Sequence, residues 1–344
     1  MKIKKIILSV LVIISIAGAL IGYKFYNKIY AENVLKNATV NIPKNASFNE
    51  VQQLIKPFIN DSESFKWVAE QKNYLNKIKA GRYPIKKGMN NNDLINLLRS
   101  GKQTAINLTF NNQDTLEKFA GRISEQIQAD STQILASITD EEFLSKNKLT
   151  KANVLGIFIP NSYQFYWNTS AETFRDKMLK EYHRFWSEDR LAKAEKLNLT
   201  PKEVTILASI VQKETSKVSE RPTVAGLYLN RLRDKWALQA DPTVIFALKQ
   251  KHGQDYEVKR VLNADLLIES PYNTYQNVGL PPAPISMPDI SSIDAVLNPE
   301  NHDYYYMCAS VTNIGTHEFA KSLGQHERNA AKYRRWISKQ GINR

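Results

Sequence analysis

The chain has 344 residues, 42% hydrophobic and 24% charged, enough for a sizeable core and more than one domain and unlike a disordered chain. It carries 47 Lys and Arg against 34 Asp and Glu, but the excess sits at the two ends: residues 1–30 hold five lysines and no acid, and residues 321–344 hold seven basic residues against Glu327 alone. The stretch between is close to neutral, which argues against a nucleic-acid groove, and a single cysteine, Cys308, excludes a disulfide framework or an all-cysteine metal site.

Ile6 to Tyr23 is 18 residues without a charge. As a helix it would span about 27 Å, near the hydrocarbon thickness of a bilayer. Lys2, Lys4 and Lys5 precede it and predict an N-terminus on the cytoplasmic side, although Lys24 and Lys28 weaken the asymmetry. Ala17-Gly18-Ala19 offers the alternative of a cleaved signal peptide, but the apolar run continues beyond it, so a retained anchor is expected. Either way the body lies outside the cytoplasmic membrane. The expected division is 1–5 cytoplasmic, 6–23 transmembrane, 24–38 a polar tether, 39–110 a small α/β module and 111–344 a larger domain.

In the module, Thr39 to Ile42 reads as a strand, and Ser47-Phe48-Asn49-Glu50 as a capping box opening a helix with Val51, Leu54 and Ile55 on its inner face. A helix over Glu63–Asn73, a strand over Ala80–Ile85, a turn at Lys87-Gly88, a helix ending at Ser100-Gly101 and a strand over Ile106–Phe110 follow. Residues 111–200 have mostly helical periodicity, interrupted by the aromatic-rich Ile157–Trp167, which reads as strand and loop. Residues 270–290 read as a long ordered loop, 303–311 as a buried strand carrying Cys308 as a small hydrophobe, and 325–340 as a basic terminal helix. The fold class is α+β.

Thr200-Pro201-Lys202-Glu203 opens a helix as a capping box with Pro at its first position, and Val204 to Val211 contains no charge. Val204, Leu207, Ala208 and Val211 share a face, and Glu214 continues that stripe while Gln212 and Lys213 point elsewhere. Partial burial and the negative end of the helix dipole would both raise the Glu214 pKa toward neutrality, as a general acid requires. The plain alternative is an exposed Glu paired with Lys217. Ser219-Glu220-Arg221-Pro222 can cap a further helix that turns Val224, Leu227 and Tyr228 inward and ends near Asn230 and Arg231. Asp241, before Pro242, reads as an N-cap or as a second active-site carboxylate. Tyr272-Asn273-Thr274-Tyr275 suits a carbohydrate or simple loop packing. His317-Glu318 and His326-Glu327 lack the spacing of a zinc helix, and no nucleotide-binding glycine loop occurs.

Taken in series, these segments resemble the MltG (YceG-like) endolytic murein transglycosylases: Ala208–Thr215, Ser219-Glu220-Arg221, Tyr228–Leu232, Leu238–Ile245, Ser270–Tyr275, Gly279–Ile285 and His317-Glu318-Phe319. The Ala80–Gly101 stretch resembles the LysM-like subdomain of that family. The resemblance implies a buried catalytic helix in a mixed α/β domain, with Glu214 as the catalytic acid. It implies cleavage of the β-1,4 bond between N-acetylmuramic acid and N-acetylglucosamine to leave 1,6-anhydro ends, without metal or cofactor. Glu214 would serve as acid and then base, with Asn230, Gln239, Asp241, Tyr272, Asn273, Thr274 and Tyr275 as candidates for orienting it or binding sugars. Partners would be glycan strands, the membrane and membrane-bound synthases, with no nucleic acid, on the outer face of the cytoplasmic membrane. Two departures stand out. The usual E-K-E-T reads Gln212-Lys213-Glu214-Thr215, and the acidic residues of the usual E-G-Y-L-F-P-D-T-Y are replaced in Gly156–Tyr163. Other readings are a hydrolase using Asp241, a non-catalytic peptidoglycan-binding scaffold, and a polyanion binder working through 321–344.

Overall fold

The structure, a computed structural model, describes residues 2–339. Met1, Gln340 and the four residues after it lie outside the described residues, so the first residue of the expected cytoplasmic segment and the last of the expected basic helix fall there. The elements in chain order are α1 (Lys2–Tyr30), β1 (Ala38–Ile42), α2 (Phe48–Ile55), α3 (Ser62–Gln71), β2 (Gly81–Ile85), α4 (Asn91–Ser100), β3 (Ala105–Phe110), α5 (Leu116–Ser124), α6 (Ser131–Ile138) and α7 (Glu141–Lys146). They continue with β4 (Asn161–Tyr166), α8 (Ala171–Phe185), α9 (Glu188–Lys196), α10 (Pro201–Glu214), α11 (Arg221–Arg233), α12 (Asp241–His252), α13 (Ile290–Leu297), β5 (Tyr306–Ala309), β6 (His317–Ala320) and α14 (Leu323–Lys339). The expected mixed α/β architecture is therefore present. Residues 1–108, 124–129 and 163–170 form one compact unit, and 109–123, 130–162 and 171–344 a second.

In the first unit, α1 is long and apolar enough to cross a membrane: an 18-residue window within Ile3–Tyr30 has a mean hydropathy of 2.6, and none of it is buried against protein. β1 and β2 pair antiparallel, with Val40 opposite Tyr83 and Ile42 opposite Gly81. Alternation sends Val40, Ile42, Tyr83 and Ile85 to one face, where Val51, Ile55, Phe65, Val68, Leu94 and Leu98 from α2, α3 and α4 bury them. Local signals behave as read. The Ser47–Glu50 capping box forms, and Gly101 ends α4 in the left-handed conformation (φ 70°) that glycine tolerates. The expected polar tether over 24–38 is not one. Lys24–Tyr30 continue α1, and Asn33 and Val34 are buried, because Asn33 donates to Asp61 O and Asn91 Oδ1 and accepts from Asp61 N.

The core of the second unit centres on α10, whose residues Val204–Val211 are all buried. α11, α12 and α13 pack around it, contributing Val224, Leu227, Val244, Ile293 and Val296. Arg221, 5% exposed, ties α11 to the start of α13 through two 2.8 Å contacts from Nη1 to the Asp289 carboxylate. Gly226 of α11 admits the chain before β5: a Cβ there would stand 2.5 Å from Glu300 O. β5 and β6 form an antiparallel hairpin, with Ala309 opposite His317. The expected buried strand over 303–311 is shorter and half-buried, Cys308 included, since a two-stranded hairpin is covered on one side only.

Candidate active site

α10 begins as its sequence dictates. Thr200 Oγ1 accepts the Glu203 N–H at 3.3 Å, Glu203 Oε2 accepts the Thr200 N–H at 2.7 Å, and Pro201 occupies the first turn. The apolar stripe then runs the length of the helix and ends on Glu214, its last residue; Thr215 is already extended. Gln212 and Lys213 do point elsewhere. Gln212 Oε1 accepts the Asp289 N–H at 2.5 Å, and Lys213 pairs with Asp114 at 2.7 Å. No pairing between Glu214 and Lys217 forms. Instead the Tyr228 hydroxyl, from α11, donates to Glu214 Oε1 at 2.5 Å.

Glu214 keeps partial exposure, yet protein packed round its carboxyl pushes its pKa up to about 7. Burial is the largest influence. The Tyr228 hydrogen bond and the charges of His317 and Arg231 work the other way, and Asp241 adds to the rise. Tyr228 is 1% exposed, and its own pKa is driven well above the usual value by burial and by Glu214, so it acts as a neutral donor. A carboxyl group protonated near pH 7 and clamped on one oxygen can deliver a proton from the other.

Asp241 does not cap α12. Ala240 is the cap residue with no side-chain bond, and the exposed Asp241 carboxylate accepts the Tyr275 hydroxyl at 2.6 Å. Burial, then Asp241, raises the Tyr275 pKa. The rest of the 270–277 loop is held from within. Asn273 Nδ2 donates to Leu266 O and Ile268 O at 2.9 Å, and Thr274 Oγ1 meets Thr243 Oγ1 at 2.8 Å and accepts the Ala240 N–H. Asn273 and Thr274 are at most 1% exposed, and Tyr272 is buried against the Phe246 ring. Gln239 is exposed in a left-handed conformation (φ 49°), its N–H bonded to Thr274 O. Asn230 is buried, with Nδ2 on His302 O and Tyr304 O and Oδ1 accepting from Arg233. It borders a cavity of about 1050 Å³ lined also by Thr200, Lys202 and Glu203 from the start of α10.

Of the residues singled out in the sequence, the structure thus gathers Asp241 and Tyr275 around Glu214. It uses Tyr272, Asn273 and Thr274 to hold a loop, and Asn230 to hold the chain before β5 against α11. Three neighbours went unrecognised in the sequence. Tyr228 reads only as an inward-facing residue, Arg231 as a helix terminus, and Glu220 as a cap. Glu220 caps nothing; it binds His317, 97 residues on, through both oxygens. Nothing local marks that pairing. Among the described residues no group of three or more His, Cys, Asp or Glu is placed to hold a metal.

Comparison with known proteins agrees with the motifs. A sequence model of the YceG-like family matches residues 40–332. The endolytic murein transglycosylase of Bacillus subtilis (strain 168) is 31% identical over 334 residues, covering 91% of this chain and 90% of that one. The protein of the same name from Streptococcus pneumoniae serotype 2 (strain D39) is 28% identical over 365 residues, covering 96% of this chain and 65% of its own length. A crystal structure of a yceG-like protein from Listeria monocytogenes superposes with a TM-score of 0.55 at 29% identity, over 86% of this chain and 99% of that one.

Proposed function

The chain belongs to the YceG-like family, and from that premise we propose that it is an endolytic murein transglycosylase, a lyase that cleaves peptidoglycan strands. The names of its relatives support this activity. The observation in this chain that carries the chemistry is Glu214: a carboxyl at the end of a buried stripe, held by Tyr228, with a pKa near 7. Glycosidic cleavage needs a proton on the leaving oxygen as the sugar gains oxocarbenium character, and Glu214 supplies it. The bond cut is the β-1,4 link from N-acetylmuramic acid to N-acetylglucosamine. The muramic C6 hydroxyl closes on its own C1, so the attack is intramolecular and gains a large effective molarity. The product carries a 1,6-anhydro end. In the simplest scheme the carboxylate left on Glu214 takes up the hydroxyl proton, and no second nucleophilic carboxylate enters.

The same reading assigns α1 as a single-pass anchor with its N-terminus inside, which puts the second unit on the outer face of the cytoplasmic membrane, facing nascent strands and the synthases that make them. The helices and strands of residues 39–110 then serve as a LysM-like glycan-binding module, and Asp241 and Tyr275 orient sugars beside Glu214. Mass spectrometry of purified glycan strands after incubation with the full-length protein in detergent tests this. Anhydro ends from wild type and none from Glu214→Gln are expected. Reducing ends would point to a hydrolase with Asp241 as its second carboxylate, and unchanged strands to a binding scaffold.

A further inference from the structure

Glu220 and His317 form a pair that the scheme above does not use. Glu220 closes a 3-10 turn (Val218–Glu220) at the entry to α11 and is 8% exposed. Its Oε1 accepts the His317 backbone N–H at 2.5 Å, and its Oε2 lies 3.0 Å from His317 Nδ1. A carboxylate at Nδ1 holds the ring proton there and leaves Nε2 as the acceptor. Among the described residues Nε2 has no hydrogen-bond partner. The backbone that carries the imidazole is held by the hairpin. Ala309 is its register partner, the Ser310 N–H donates to Thr316 O at 2.9 Å, and Ser310 Oγ donates to Glu318 at 2.8 Å. His317 lies within electrostatic range of Glu214, where a charge on the ring lowers the Glu214 pKa.

The chemistry asks for such a group. In anhydro-ring closure the C6 hydroxyl approaches C1 from the face that the leaving oxygen vacates, so proton donor and proton acceptor stand on one side of the sugar. Glu214 Oε1 already accepts the Tyr228 hydroxyl. On one carboxyl the two proton transfers follow one another on the same oxygen. A second acceptor alongside lets them run together on separate groups.

We propose that His317, oriented by Glu220, is the general base: its Nε2 takes the C6 hydroxyl proton while Glu214 protonates the leaving O4. The C1–O4 bond breaks with its electron pair going to O4, which gains the Glu214 proton. An O6 lone pair forms the C1–O6 bond as the O6–H proton passes to Nε2. The step leaves a carboxylate on Glu214 and an imidazolium on His317, and proton return from one to the other restores the site without a co-reactant. The proposal rests on the anhydro-forming reading.

The test uses the full-length protein in detergent with purified glycan strands and counts anhydro ends. His317→Asn keeps a donor toward Glu220 but has no base, and is expected to fold with an unchanged melting temperature while losing about 100-fold in kcat with little change in KM. His317→Gly is expected to regain activity with added imidazoles, at rates that rise with the pKa of the imidazole used. Full activity in His317→Asn, no rescue of His317→Gly, or rescue independent of imidazole pKa overturns the proposal. If wild type itself leaves only reducing ends, the broader reading fails and this one falls with it. Anhydro ends from wild type and His317→Asn alike sink the base assignment alone.

Discussion

Glu214 has an ionisation state set by two opposed effects, and each can be removed separately. Burial raises its pKa to about 7, so the folded protein favours the protonated form. The sign follows: below the ordinary carboxyl value near 4.5 the residue costs no stability, and the cost grows as the pH rises toward 7 and stays above it. Glu214→Gln should therefore be inactive yet more stable than wild type at pH 8, by on the order of 2 kcal/mol after allowing for the partial exposure of the carboxyl, and equal to it near pH 4. Denaturant melts at the two pH values check this. The Tyr228 hydrogen bond works in the opposite direction, favouring the carboxylate. Tyr228→Phe should shift the alkaline limb of the pH–rate profile to higher pH and lower kcat about tenfold, through lost orientation of the acid. An unmoved limb would mean that Tyr228 does not act on Glu214.

The helix that carries Glu214 is placed by its ends. At the start, Thr200 and Glu203 satisfy one another's backbone donors. Thr200→Ala should lower stability by about 1 kcal/mol in urea melts with an unchanged slope. Farther along, α11 is tied to α13 by Arg221 and Asp289. Burial opposes the charge on Asp289, but hydrogen bonds from Arg221 and Ser291 outweigh it and hold its pKa below the usual carboxylate range. The sign is the reverse of that for Glu214. The pair contributes fully above the ordinary Asp value near 3.8 and is lost as the pH falls through the depressed one. Arg221→Met should cost about 2 kcal/mol at pH 7 and much less near pH 2, the half-exposed carboxylate keeping the figure below that of a fully buried pair.

For the molecule as a whole, the junction between α1 and the first unit matters most. The C-terminal turns of α1 are built into that unit. The Phe25 ring lies 5.2 Å from that of Trp67, tilted by 31°, Lys28 Nζ lies over the same ring, and Lys28 O accepts from the buried Asn91. Removing the apolar segment while keeping Lys24 onward should release the protein from membranes and leave the first unit intact. A chain starting at residue 31 should be less stable by about 2 kcal/mol, since Asn91 loses a partner and Trp67 loses its cover. Equal melting temperatures for the two truncations would show these contacts to be dispensable.

Much of this protein can be read without coordinates because its signals are short-range. The capping boxes at Ser47 and Thr200, the glycine stop at Gly101, the uncharged run of α1 and the stripe ending on Glu214 all depend on bonds or faces three to seven residues apart. The surroundings of Glu214 do not. Tyr228 lies 14 residues away, Tyr275 meets Asp241 across 34, and Glu220 meets His317 across 97. Asp241 in front of Pro242 is equally consistent with a cap and with a free carboxylate, and packing of the 270–277 loop selects the second by bringing in a hydroxyl. Lys24–Lys28 is polar enough to pass for a tether, and a neighbouring Trp67 makes it the root of a helix. Local chemistry therefore names the helix, the apolar segment long enough to span a membrane and the carboxyl that ends the buried stripe. The partners that set the acid's pKa and orientation depend on which distant side chains are desolvated together, and that is settled when the chain packs.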